Sequence, residues 1–382
     1  MAILPVTYGG IRRIFQARRR FSMKRIDMHC HIVGNGEDVN RVDDDVYFKP
    51  EDNQHFVVWG VYKTLEVYLR GLGFNIGLDG KVPAGDYLHI LYNFLKNSKE
   101  IDAIVLLALD ALWSPDDGGL DVRKTDLYVS NRYVNRTVRE LNDHFRREKS
   151  DKRFLLGASV SPNRNDWEKE LRFVLDETDA VLIKWIPSVQ HITVDDEKHK
   201  PFYKMLAEHK MPLLCHIGPE YSFPEGLRNL KLDVVEKLET PLNCGVTVIA
   251  AHCGTPVLSL IDQDHTEELL KLMQKKNSDQ KVCLWADTSA LSLSTRVHLI
   301  DDIAKTFPAK WLLHGSDFPV PIETWPHLLS FRSLGDLDES RKLLNTTNPF
   351  DQDVRIKRLH KFDDQILSNA EKVLRITNTA FD

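Results

Sequence analysis

Short runs of β-branched and aliphatic residues recur along the chain, and helical patterns fill the gaps between them. The runs are Arg25–His31, Ala103–Leu109, Phe154–Val160, Ala180–Ile186, Pro212–Ile217, Val246–His252, Val282–Thr288 and Trp311–Asp317, and each predicts a strand. Between them, apolar residues return every three or four positions over Asp86–Lys96, Asn131–Arg147, Trp167–Asp176, Pro201–His209, Lys231–Glu239, Glu267–Lys275 and Val297–Phe307. A last helix is predicted over Asp363–Arg375. Eight βα units in one chain imply an α/β fold, a TIM (β/α)8 barrel, with its active site at the carboxyl ends of the strands.

Two stretches are longer than an ordinary βα connection. Gly34 to Glu100 begins polar, with Asp43-Asp44-Asp45, and then shows a helical pattern around Val57–Leu72. Pro319 to Asp353 is similarly long and rich in turn residues. They leave the carboxyl ends of the first and eighth strands, so both insertions are expected over the site. They read as lids or substrate selectors, or equally as contacts in a homo-oligomer.

Composition narrows this little: 382 residues can bury a large core, and 42% hydrophobic with 28% charged is ordinary for a globular protein. No apolar run approaches the ~20 residues of a membrane span. Charge is more telling. Arg12, Arg13, Arg18, Arg19, Arg20, Lys24 and Arg25 give the first 26 residues +7 with no acid, so a total of −5 leaves −12 on the rest. An acidic body argues against nucleic acid as a partner. The start itself, residues 1–22, reads as a basic extension ahead of a natural start at Met23, as an organelle-targeting segment, or as a packed element; a secretory h-region is lacking. Residues 23–382 read as one domain. Five cysteines without a CxxC pair suggest no disulfide framework and a reducing, cytoplasmic compartment, with organelle targeting left open.

The chemistry sits at strand ends. Alternate side chains of a strand face opposite ways, so His29 and His31 point together into the barrel mouth while Cys30 points out. The same parity separates His216 from Cys215 and His252 from Cys253, which leaves those cysteines as packing residues. Asp317 follows an apolar run, where an ionised carboxylate is costly unless paired or bound to a cation. Three imidazoles (His29, His31, His216) and one carboxylate suit Zn, Fe, Mn or a similar divalent ion. Lys184 stands in the nearly all-apolar Val181–Pro187 run. It reads as a carboxylated lysine bridging two metals, as a cation for an anionic substrate, or as a salt-bridge partner. His252 is a candidate second ligand or general acid/base, and Asp317 a candidate proton acceptor for metal-activated water. Asp287 is a candidate for orienting a ligand or substrate, Arg164 for clamping a carboxylate. Trp185 and Trp285 are candidates for lining the pocket, and His314 faces away from Asp317.

These segments, Ile26-Asp27-Met28-His29-Cys30-His31, Ile183-Lys184-Trp185-Ile186-Pro187, Leu214-Cys215-His216, Ile249-Ala250-Ala251-His252-Cys253-Gly254 and His314-Gly315-Ser316-Asp317-Phe318-Pro319, resemble the amidohydrolase superfamily. The closing Ile366–Ala370 helix fits too, and the likeness is to the amidohydrolase-related branch of TIM-barrel metal-dependent hydrolases, from about residue 24 to 376. The resemblance implies His29, His31, His216 and Asp317 on the main metal, with His252 near it as ligand or acid/base. It implies one zinc ion, or two if Lys184 is carboxylated. The branch includes hydrolases of lactones, esters and amides and zinc-dependent non-oxidative decarboxylases. The expected reaction is therefore hydrolysis of a small-molecule ester, lactone or amide, with decarboxylation of an aromatic or unsaturated acid as the alternative. A metal-dependent nuclease and a non-catalytic metal- or ligand-binding barrel are weaker readings.

Overall fold

A computed structural model describes residues 24–32, 46–48, 56–76 and 84–376 of the chain. The basic extension and Asp43-Asp44-Asp45 lie outside them. All eight expected strands are present: β1 (Ile26–His31), β2 (Ala103–Leu107), β3 (Arg153–Ala158), β4 (Ala180–Trp185), β5 (Leu213–Cys215), β6 (Val248–Ala250), β7 (Leu284–Asp287) and β8 (Leu312–Leu313). They lie parallel and in chain order in one sheet. The barrel closes through backbone beyond β8. Met28 N–H donates to the His314 carbonyl (3.0 Å), Asp317 N–H to the His29 carbonyl (2.8 Å) and His31 N–H to the Phe318 carbonyl (2.7 Å). Together with helices in the gaps, this is the TIM barrel that the spacing of the runs implied.

Strand parity divides the core in two. Ala103, Val105 and Leu107 of β2 join Ile26, Met28, Leu214 and Trp285 in a cluster inside the barrel. Ile104 and Leu106 join the larger cluster between the barrel and its helices. The helix Asn131–Arg147 shows how that layer is anchored: Ser130 caps it by accepting from Tyr133 N–H, and Val134, Val138 and Phe145 form its buried stripe.

Two expected helices are broken. Over 231–239 the chain forms only the short turns Leu230–Leu232 and Val235–Leu238. Asp233, buried between them, accepts from Ser188 N–H while its carbonyl accepts from Gly218 N–H, and these tertiary bonds displace the helical ones. Over 363–375 two single turns, Gln365–Ser368 and Ala370–Val373, replace one helix. There the Asn369 amide donates to the Ala309 and Leu312 carbonyls, and Arg375 N–H to the Val181 carbonyl. The expected helix from Val297 starts later, at Ile300.

Both insertions sit at the carboxyl end of the barrel. The helix Phe56–Gly71 reaches the loop after β5, where Tyr62 Oη donates to the Ser222 carbonyl (2.8 Å). From the next helix, Ala84–Asn97, Tyr87 Oη donates to the His31 carbonyl (2.8 Å). The insertion after β8 holds the helices Thr324–Leu328, Phe331–Gly335 and Leu337–Leu344.

Candidate metal centre

The pleat of β1 turns His29 and His31 the same way, with ring centroids 5.1 Å apart, and sends Cys30 into the outer core. Asp317 arrives from the turn after β8 with φ 66°, a left-handed conformation that costs a non-glycine residue about 1 kcal/mol or more. The bond from its N–H to the His29 carbonyl holds it there. Gly315 permits the approach: a Cβ at that position would stand 2.8 Å from His29 Cβ.

The two nitrogens of His29 face different surroundings. On one side, Nε2 lies 3.2 Å from His31 Nε2, 3.3 Å from Asp317 Oδ1 and 3.2 Å from Lys184 Nζ. His31 Nε2 is itself 3.2 Å from Asp317 Oδ1. Two imidazole nitrogens and a carboxylate oxygen thus converge on one point. On the other side, Nδ1 lies 2.8 Å from Asp287 Oδ2 and 3.1 Å from Ser289 Oγ. His29, His252 and Asp287 also have ligand atoms within 4.8 Å of one another. Ser289 fills that group, however: its hydroxyl bonds Asp287 Oδ1 and lies 2.8 Å from His252 Nδ1, so the Nδ1 side is a hydrogen-bond network and the Nε2 side is the place for an ion.

His252 and His216 extend the site. The strand parity expected for His252 and Cys253 does not apply, because β6 ends at Ala250 and both residues have positive φ, 58° and 52°. The turn, fixed by His252 N–H donating to Asp287 Oδ1 (2.9 Å), carries the His252 ring to 5.3 Å from that of His29 and 4.8 Å from that of His216. His216 follows β5. Its Nδ1 is 3.1 Å from His252 Nε2, and its Nε2 is buried without a hydrogen-bond partner among the described residues. A buried bare imidazole nitrogen is costly unless something binds it.

Burial pushes the His29, His216 and His252 imidazoles down, His252 to about 3, so they present neutral lone pairs. Burial alone would raise Asp317, but His29, His252 and His31 outweigh it and hold the carboxyl well below the usual range. Neutral imidazoles around a carboxylate are the protonation state in which such a set takes a divalent ion. Lys184 is fully buried, and burial likewise lowers its amine.

Other expected residues sit elsewhere. Trp185 points into the helix layer, packs on Phe202 and Tyr203, and donates from Nε1 to the Val160 carbonyl (2.8 Å). Trp285 belongs to the barrel interior. Arg164 is engaged by Asp110 and Asp166 and stacks on Trp113. His314 turns away to the Lys357 ammonium. Three residues were missed from the sequence. Glu220, buried in the loop after β5, has Oε2 3.9 Å from His216 Nδ1; its place four residues after a candidate ligand was the available signal. Ser289 carried no signal beyond following Asp287 by two. Arg296, also buried, donates to the carbonyls of Thr255, Pro256 and Ala290 and so joins the loops after β6 and β7.

The sequence model of a family described as amidohydrolase matches residues 108–361. A comparison with curated proteins gives no match. Among solved structures, a probable 2-pyrone-4,6-dicarboxylic acid hydrolase from Acinetobacter baumannii, with citric acid bound, is similar at 13% identity over 92% of this chain and 99% of that one, with a TM-score of 0.52. An uncharacterised TIM-barrel protein from Bordetella bronchiseptica is similar at 14% identity over 91% of this chain and 99% of that one, TM-score 0.49. A 5-carboxyvanillate decarboxylase from Sphingomonas paucimobilis is similar at 12% identity over 93% and 100%, TM-score 0.43. At such identities the likeness is one of fold.

Proposed function

The chain belongs to the amidohydrolase family, and from that membership we propose that it is a metal-dependent hydrolase of small molecules. In this reading His29, His31, His216 and Asp317 hold a divalent ion at the carboxyl ends of β1, β5 and β8. The observation that carries it is the convergence of His29 Nε2, His31 Nε2 and Asp317 Oδ1 at 3.2–3.3 Å in a buried mouth. The bare Nε2 of His216 supports a fourth donor. Zinc suits three nitrogens and one oxygen, and such an ion supplies Lewis acidity, polarising a carbonyl and bringing the pKa of water to about 7.

The side chains do the rest. Asp287 holds the Nδ1 proton of His29, which aims Nε2 into the mouth. Asp317 Oδ2, on the side of His252 Nδ1 at 3.8 Å, accepts a proton from the attacking water and passes it to the leaving group of an ester, lactone or amide. His252 stands beside it as the second acid/base group. Lys184, if carboxylated, adds an oxygen donor and admits a second ion. The Tyr62–Ser222 contact carries the first insertion across the mouth, where it limits water.

Two further points bear on setting. Among the described residues no helix is long and apolar enough to cross a membrane. Cys30, Cys215 and Cys253 are free and buried, which supports a reducing, cytoplasmic location.

Zinc-loaded protein assayed against esters, lactones and amides tests the reading. Hydrolysis that the His29→Ala variant lacks is the expected result. Release of carbon dioxide from aromatic or unsaturated acids, with no hydrolysis, would replace it by the decarboxylase reading. Equal behaviour of wild type and variant across both panels would end it.

A further inference from the structure

We propose that Ser289 is a positioning residue: it fixes the ring proton of His252 and, through His252, that of His216, leaving His216 Nε2 bare for an ion. The inference takes its purpose from the metal-site reading but its geometry from hydrogen-bond accounting alone.

The accounting starts at Asp287. A carboxylate only accepts, and all its partners must donate. Oδ2 takes His29 Nδ1–H (2.8 Å). Oδ1 takes His252 N–H (2.9 Å), Ser289 N–H (3.0 Å) and the Ser289 hydroxyl proton. Having spent its one proton on Asp287, the Ser289 hydroxyl faces His252 Nδ1, at 2.8 Å, as an acceptor. The Ser289 carbonyl, also an acceptor, lies 3.3 Å from the same nitrogen. His252 Nδ1 therefore carries the proton, and its Nε2 is a lone pair. That lone pair meets His216 Nδ1 at 3.1 Å, so His216 Nδ1 must donate. Glu220 Oε2, 3.9 Å from the same nitrogen, is an acceptor as well. His216 Nε2 is then unprotonated, and it is a buried atom with no hydrogen-bond partner among the described residues.

One anion thus sets three imidazoles. His29 is reached directly, whereas His252 and His216 are reached through the serine hydroxyl at 2.8 Å, the Ser289 carbonyl at 3.3 Å being the longer contact that Ser289→Ala retains. All three hold the proton on Nδ1, the tautomer that free histidine does not favour. The bond made by the opposite nitrogen imposes it.

The test reads protons, not turnover. Metal-free protein carrying 15N-labelled histidine gives tautomers from two-bond 1H–15N correlations, assigned with His216→Gln and His252→Gln. Wild type should show His29, His216 and His252 all protonated on Nδ1. Ser289→Ala should convert His252 and His216 to tautomer mixtures and leave His29 unchanged. The variant's affinity for zinc, measured by chelator competition, should fall about 10–100-fold. A wild-type His216 protonated on Nε2 would overturn the proposal, as would unchanged tautomers in Ser289→Ala. If the variant does not fold, the wild-type spectrum decides. Since neither metal nor substrate enters the tautomer measurement, correct tautomers in a protein that binds no zinc would sink the metal reading and leave this one standing.

Discussion

Behind β8, Lys357 donates to the Gly315 carbonyl (2.6 Å) and to Asp353, while Ser292 donates to the other oxygen of Asp353. Every charge in this buried cluster meets its opposite within the protein. In front of the same strand, His29, His31, Lys184 and Asp317 crowd into similar space with a different outcome. Two imidazole nitrogens share one carboxylate oxygen, Lys184 Nζ lies against one of them, and His216 keeps a bare nitrogen nearby. The first cluster balances its charges without an ion, so its value is in folding, although His314 Nε2 at its edge is also buried without a hydrogen-bond partner among the described residues. The second is complete only with a cation, so its value is in binding and chemistry. Both are largely buried, with only His31 partly exposed, and burial alone would not have told them apart.

The contrast breaks most sharply at Asp353. Asp353→Asn leaves the Lys357 ammonium without its counter-charge and should cost about 3–5 kcal/mol in denaturant unfolding. Activity per folded molecule should hold. If unfolding were unchanged, the rear cluster would not be the structural one.

Asp317→Asn should do the reverse. Loss of the proton acceptor and the anionic donor should lower kcat/KM about 10²–10³-fold. The unfolding midpoint in chelator should barely move, since the amide keeps the side chain's shape and its backbone bond to His29.

Zinc itself should stabilise the wild type by about 2.7 kcal/mol at a free concentration 100 times Kd. His31→Ala should unfold at the same denaturant concentration with zinc or with chelator. A zinc response that survives His31→Ala would place the ion elsewhere.

The most gradual effect lies at the edge of the rear cluster. His327 Nε2 meets the Ser292 carbonyl at 3.2 Å, and burial, helped by His360, pushes its imidazole down to about 3. The unfolded chain, with an ordinary histidine near 6.5, therefore binds the extra proton between those values. Stability is full above pH 6.5 and falls as pH drops below it, by up to about 1.4 kcal/mol per pH unit for this one proton. His327→Gln should flatten the slope between pH 6 and 4 in urea titrations. An unchanged slope would assign the acid sensitivity to other groups.

Much of this was legible in the chain. The apolar runs placed eight strands because a barrel strand is buried on both faces and must be apolar nearly throughout. Parity placed His29 and His31 together, and it held although the pairing of β1 shifts register between Asp27 and Cys30. At His252 and Cys253 the separation also holds, but not by parity: the strand ends two residues early and a left-handed turn, unmarked by Gly or Asn at that position, aims the ring and leaves Cys253 in the outer core. The broken segments at 231–239 and 363–375 kept a helical pattern in sequence, but Asp233 and Asn369 bond to distant backbone instead. Ser289 was silent, and Glu220 nearly so, because their roles come from what other loops bring to them.

One bond of the barrel seam has a consequence for biosynthesis. Ser316 N–H donates to Asp27 Oδ1, joining positions 289 apart in the chain, and Asp317 with His29 follows the same seam. A growing chain presents His29 and His31 almost at once, yet it cannot offer the carboxylate donor, Asp317, until nearly all the barrel has been made. Such distant pairings form late and slowly. A chain cut short before His314 would carry both histidines and no seam to hold them, so tight retention of the ion would report that synthesis and closure are finished.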